Sequence, residues 1–159
     1  MPAGPADVVI TPVATDDAMD WEQMREALWP SAPGEHASEI ADWFAGRLAG
    51  LDTVLIARNT SGEALGFIEL AIRTVAESCY SGRIGYVEGW YVESYWRRRG
   101  VGLALLRAAE DWARAQGCSE MASDAALDNR VSQRAHEAAG FAEVGRSVCY
   151  RKALDEAIR

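Results

Sequence analysis

The sequence predicts a mixed α/β fold in one domain. A chain of 159 residues that is 49% hydrophobic and 25% charged is long enough to bury one core. Helical and strand-like periods alternate along it, and no repeat, low-complexity segment or long linker divides it, so residues 1–159 read as a single domain.

The elements follow in order. "VVITPV" reads as a first strand, and Asp16 or Asp17 can cap a helix in which Trp21, Met24 and Leu28 recur at helical spacing. "LWPSAPG" breaks that helix at Pro30 and Pro33. A second helix starts near Glu35, with Ile40, Trp43, Phe44 and Leu48 on one face and Gly50 near its end. The period then changes to two: "TVLIAR", the turn "NTSG" and "ALGFIELAI" make a hairpin. "RTVAESCYSGR" is a loop and "IGYVEGWYV" a strand. Val101, Leu105, Ala108 and Trp112 form a helical stripe stopped by Gly117. "SEMASDAA" is a short strand, "NRVSQRAHEAAG" a small-residue helix ended by Gly140, and "FAEVGRSVCYRK" a closing strand that alternates around Gly145.

Composition narrows the function. The formal net charge of -8 disfavours nucleic acid, whose phosphates select basic surfaces, and suits a cationic partner as well as plain solvation. The longest apolar run is too short for a membrane span, and "MPAGPADVVI" lacks a signal-peptide pattern, which places the expected location in the cytoplasm. Cys79, Cys118 and Cys149 are odd in number and widely spaced, and His36 and His136 are the only histidines, so no metal is expected.

Against this acidic background "SYWRRRGVGLALL" concentrates three arginines and two glycines between a strand and a helix. A helix N-terminus exposes unsatisfied N–H groups and a partial positive charge, Gly100 and Gly102 allow close backbone approach, and arginines can grip phosphate bidentately. A pyrophosphate would suit the turn; an ordinary basic connection would also produce it. It is neither a P-loop nor a dinucleotide fingerprint, because no GK[ST] follows and it does not succeed a first strand.

Arg97-Arg98-Arg99-Gly100-Val101-Gly102 resembles the Q/R-x-x-G-x-G/A signature of the GCN5-related N-acetyltransferases (GNAT), which lies between the fourth strand and third helix of that family. Asn129, opening a helix that ends in Gly140-Phe141, matches a second signature. The resemblance implies the GNAT-type acyl-CoA N-acyltransferase fold, a central, mostly antiparallel sheet flanked by about four helices. It also implies acetyl-CoA as donor, with its pyrophosphate on the backbone of Arg98 to Leu103 and its pantetheine arm paired like an extra strand with Trp90, Tyr91 and Val92. The side chains of Trp90 and Tyr91 are accounted for as strand packing. The amide of Tyr91 or Val92 is a candidate oxyanion donor.

Within the family the chain is similar to aminoglycoside 6'-N-acetyltransferases. The matching motifs are Leu28-Trp29-Pro30, Glu88-Gly89, Glu120 to Asp124, Asn129 with Ser132-Gln133 and His136, and Tyr150 to Lys152. The resemblance makes Trp29 a wall for the sugar rings and Glu88 and Asp124 the carboxylates around the acceptor amine, and it implies a homodimer. The chain departs from the pattern at Gly145, where an acid is expected and Glu143 lies two residues away, and in the loop before the fourth strand, where Tyr80 is shifted.

An acid amid the apolar strand around Glu88 needs a cavity or a partner such as a neighbouring arginine. Asp124 lies near the carboxyl end of its strand, the usual side for a site, or caps a turn. An ammonium cannot attack a thioester, so one of these two carboxylates is the candidate general base. His136 occupies the place where many relatives carry a tyrosine acid for the leaving thiolate; a packing histidine is the alternative. The competing functions are acetylation of a polyamine, small metabolite or protein amine, and a non-catalytic acetyl-CoA-binding module.

Overall fold

The computed structural model describes residues 7–155. Met1–Ala6, part of the segment read as lacking a signal peptide, lie outside the described residues. The chain forms two compact units, Met1–Asp124 and Ala125–Arg159.

The first unit is built on a five-stranded sheet in sequence order: β1 (Val8–Pro12), β2 (Thr53–Asn59), β3 (Ala64–Arg73), β4 (Ile84–Val92) and β5 (Glu120–Ser123). The first three pairings are antiparallel and the β4–β5 pairing is parallel. Helices α1 (Ala18–Leu28) and α2 (Glu35–Phe44) precede β2, and α3 (Val101–Ala115) joins β4 to β5. The expected mixed α/β class, with a mostly antiparallel sheet and four helices, is what forms.

Side-chain alternation explains which helix covers which face. Val54, Ile56, Phe67 and Tyr91 point toward α1 and α2, where Trp21, Met24 and Ile40 complete a buried cluster. Trp21, Trp43 and Phe44 meet edge to face at centroid distances of 5.1–6.0 Å, a geometry that suits the aromatic quadrupole. The opposite face takes α3, whose Val101, Leu105, Leu106, Ala109 and Ala113 are buried. Close packing here requires glycine: a Cβ on Gly85 would fall 2.8 Å from the Ala113 Cβ.

The α1/α2 face carries a buried ion pair, Glu69 with Arg25. Glu69, 3% exposed, accepts from Trp21 Nε1 at 2.9 Å and lies 2.9 Å from Arg25 Nε, whose N–H is not directed at it. Arg25 in turn reaches Glu39 at 2.8 Å. Burial pushes the Glu69 carboxyl up, against the opposing pull of Arg25 and Trp21.

Two expectations need correction. The second helix stops at Phe44, short of Leu48, because Gly46 adopts a φ of 73° that helical geometry excludes. The closing strand does not form: residues 141–155 carry no regular secondary structure, and Val144, Val148 and Tyr150 are 57–92% exposed. Alternation marks a stretch that can be a strand, but only a neighbouring backbone edge makes it one. The second unit instead contains α4 (Arg130–Ala138) and the irregular residues after it.

Candidate active site

The site begins with a defect in the sheet. Glu69 pairs with Gly89 while Leu70 pairs with Val87, which leaves Glu88 as the extra residue of a β-bulge. In a regular strand Tyr86 and Gly89, three apart, would face opposite ways. The bulge puts both on the α1/α2 face, opposite Ala71 and Glu69 respectively.

Glu88 finds its partner there. The Arg73 guanidinium, at the end of β3, donates from Nε to Oε1 at 2.9 Å and through its NH2 nitrogen to Oε2 at 2.8 Å. The same guanidinium lies 3.5 Å above the centroid of the Tyr86 ring. The Tyr86 hydroxyl donates to Asp124 Oδ2, just beyond β5, while Oδ1 of Asp124 has no hydrogen-bond partner among the described residues. Burial first, then the Asp124 hydrogen bond and charge, push the Tyr86 phenol above its ordinary range, so it stays a donor. One polar chain, Glu88–Arg73–Tyr86–Asp124, therefore crosses the face. Among the described residues Asp124 accepts from Tyr86 and from no backbone amide, and the neighbouring-arginine alternative for Glu88 is realised.

Trp29 forms the adjacent wall. Its position follows from the end of α1: its N–H donates to the Arg25 carbonyl at 2.7 Å, and His36 Nε2 donates to the Trp29 carbonyl at 2.7 Å. The indole lies on Gly89, where a Cβ would meet Trp29 Cη2 at 2.3 Å, and Arg25 sits 5.5 Å from its ring. Gly89→Ala is expected to swing the ring away, because a side-chain end moves more easily than backbone. The melting temperature should change little, measured by calorimetry.

The arginine turn lies past the far end of β4. Ser94–Trp96 form a 3-10 turn, Arg98 takes a φ of 61° and Gly100 a φ of 84°, and the first helical bond is Ala104 N–H to the Gly100 carbonyl at 3.0 Å. The amides of Val101, Gly102 and Leu103 thus open the helix without intrahelical partners. The three arginines divide their roles. Arg97 Nε donates to the Val92 carbonyl at 2.9 Å, Arg99 stacks on Tyr95 and Trp96 at 4.6 and 5.4 Å, and Arg98 is exposed. Gly102 serves packing as well as access: its carbonyl accepts from Trp90 Nε1 at 3.1 Å, and a Cβ would come 3.4 Å from the Trp90 ring. Pairing with β5 ends at Val87, so β4 and β5 part company before Tyr91 and Val92.

The second unit holds the remaining candidates. Asn129 caps α4, its Oδ1 accepting from Ser132 N at 3.0 Å. His136 Nδ1 donates to the Ser132 carbonyl at 2.7 Å, and its ring meets Phe141 at 5.3 Å. That bond fixes the proton on Nδ1, so Nε2 of the neutral ring accepts and only the imidazolium could donate from it.

Residues 20–141 match the acetyltransferase (GNAT) family. The chain belongs to this family. It is 52% identical over 147 residues to the aminoglycoside N(6')-acetyltransferase type 1 of Klebsiella aerogenes, covering 92% of this chain and 97% of that protein. The Serratia marcescens enzyme of the same name is 39% identical over 145 residues, 89% of this chain and 97% of its own length. Among solved structures, AAC(6')-Iy in complex with the bisubstrate analog CoA-S-monomethyl-acetylneamine aligns with a TM-score of 0.83 at 32% identity, covering 93% of this chain and 99% of that one. AAC(6')-Ih from Acinetobacter baumannii aligns at 0.84 and 31%, with the same coverage.

Sequence reasoning missed Arg73 and Tyr86. Tyr86 was within reach, since it stands two residues from Glu88 in the strand; Arg73 required the register that the bulge creates. Glu120, named only as part of a motif, pins the loop before β4 by accepting from the amides of Tyr80 and Ser81 at 3.1 and 2.7 Å. Tyr80 itself is 93% exposed. Among the described residues no cluster of candidate metal ligands occurs, and no helix is long and apolar enough to cross a membrane.

Proposed function

We propose that the protein is an aminoglycoside 6'-N-acetyltransferase that takes acetyl from acetyl-CoA, with residues 1–159 as one catalytic domain. The observation that carries this reading is the pair of carboxylates, Glu88 and Asp124, on one face beside Trp29, in a chain 52% identical to an enzyme of that name.

Acetyl-CoA supplies an activated thioester. The open amides at the start of α3 and the guanidinium of Arg98 suit its pyrophosphate, Arg97 and Arg99 brace that turn through Val92, Tyr95 and Trp96, and the backbone of Trp90, Tyr91 and Val92 suits its amide-bearing arm. The amide of Tyr91 or Val92 steadies the developing oxyanion. Trp29 receives the sugar rings, and Glu88, with both oxygens on Arg73, holds cationic groups of the acceptor. Asp124 is the general base. Tyr86 fixes Oδ2, which leaves Oδ1 to take the proton, directly or through a water.

Asn129 starts α4, and its place in the family signature makes it a candidate contact of acetyl-CoA. His136 is the candidate acid for the leaving thiolate in its imidazolium form. A thiolate of pKa about 8.5 departs tolerably unaided, so His136→Asn is expected to lower kcat by less than about tenfold; a hundredfold loss would make it an essential acid.

The reading also places the protein in the cytoplasm as a homodimer, without nucleic acid or membrane as partner. The acidic charge supports the last point, and the exposed apolar side chains of Val144, Val148 and Tyr150 support self-association. Sedimentation equilibrium showing only monomer at micromolar concentration would contradict the dimer.

The function is tested by thiol release from acetyl-CoA with a 6'-amino aminoglycoside, its 6'-hydroxy counterpart and spermidine. Release with the first alone is expected; release with spermidine alone would favour a polyamine acetyltransferase, and none with any acceptor a binding module.

A further inference from the structure

The Arg73–Glu88 pair carries an inference that rests on the acceptor-site reading above. Glu88 is fixed in a bulge, its two oxygens are taken in-plane by one guanidinium, and that guanidinium is seated on the Tyr86 ring. The pair is accessible, with side chains 42% exposed for Arg73 and 23% for Glu88. Hydrogen bonding to Glu88, foremost, raises the Arg73 pKa further, so it remains a cation at every working pH.

We propose that Arg73 is a specificity-determining residue. It acts as a resident cation that occupies Glu88 in the absence of acceptor and yields it only to an ammonium already tethered to the site by a second amine. A lone ammonium is strongly hydrated and lacks the fork that fits a carboxylate on both oxygens, so it competes poorly with Arg73. An acceptor whose first amine sits at Asp124 presents its next one to Glu88 at an effective concentration of about millimolar or more, which makes exchange feasible. The residue thereby reserves Glu88 for acceptors that carry a second amine, lowering their affinity by the cost of its own displacement, and leaves a monoamine bound at Asp124 nearly unaffected.

The test is calorimetric binding of neamine and of a monoamine sugar, 6-amino-6-deoxyglucose, to the full chain, its R73M and E88Q variants and the double variant. Removing the competing guanidinium should tighten neamine about fivefold at low salt, the upper range for a part-exposed pair. The gain should shrink as salt is added. It should exceed the gain for the monoamine by about threefold, and it should vanish in the E88Q background. If R73M does not fold, R73K, which lacks the planar fork, should tighten neamine in the same direction. Weaker neamine binding in R73M or R73K, or an equal change with and without Glu88, would overturn the proposal. Neamine binding without acetylation would overturn the function while leaving the Arg73 cycle to be read; acetylation with an Arg73-independent constant would overturn the role of Arg73 alone.

Discussion

Asp124→Asn is expected to lower kcat about 100- to 1000-fold, within the range for a lost general base. The Tyr86 hydroxyl can still donate to the asparagine carbonyl, so geometry should survive, and the affinity for acetyl-CoA should stay within about twofold. The deficit should shrink as pH rises, because a larger share of the acceptor amine is then free and less depends on a protein base. Glu88→Gln should cost kcat far less than this and act mainly on the acceptor's Michaelis constant, since both Glu88 oxygens already face Arg73. Near-normal turnover of Asp124→Asn across pH would remove Asp124 from the role.

The largest effect on stability is expected at Arg25→Met. Glu69 is 3% exposed, and without Arg25 its charge would be left in the core with only the Trp21 N–H. Breaking a buried pair from one side destabilises by about 3 kcal/mol at neutral pH, roughly 10 °C in melting temperature for a chain of this length. Burial already raises the Glu69 pKa in the fold, so the folded state binds its proton more tightly than the unfolded chain does. The contribution of this group is therefore fully present below the unfolded carboxylate range and lost as pH rises through the folded value. Without Arg25 that folded value climbs further, so the gap between variant and unmodified protein should be widest at neutral pH and narrow on acidification. Adding Glu69→Gln to the variant should recover much of the loss. Calorimetric scans from pH 5 to 8 read this directly; a pH-independent gap would contradict it.

Such a network also shows what one sequence can and cannot say. Elements set by local period were legible: the Trp21–Met24–Leu28 stripe, the hairpin around "NTSG" and helix α3 form where periodicity puts them, although the buried side of α3 runs through Ala109 and Ala113 rather than Ala108 and Trp112. The need of Glu88 for a partner was legible, because an acid in an apolar strand demands one. What that partner was depended on pairing register, and the register of β3 on β4 is shifted by a bulge that no residue spacing announces. For the same reason the closing strand was overread: the alternation around Gly145 is intact, but the backbone edge that would use it lies outside anything a local pattern encodes. Asn129 illustrates a third case, in which one motif residue serves a helix cap that any Asn at that position would supply.

The most direct test is the structure of the product. Neamine, incubated with the protein and acetyl-CoA, should be recovered with a single acetyl group, and its two-dimensional NMR spectrum should place that group on the 6' nitrogen. Acetylation at any other amine, or recovery of unmodified neamine under conditions in which the protein binds acetyl-CoA, would contradict the account.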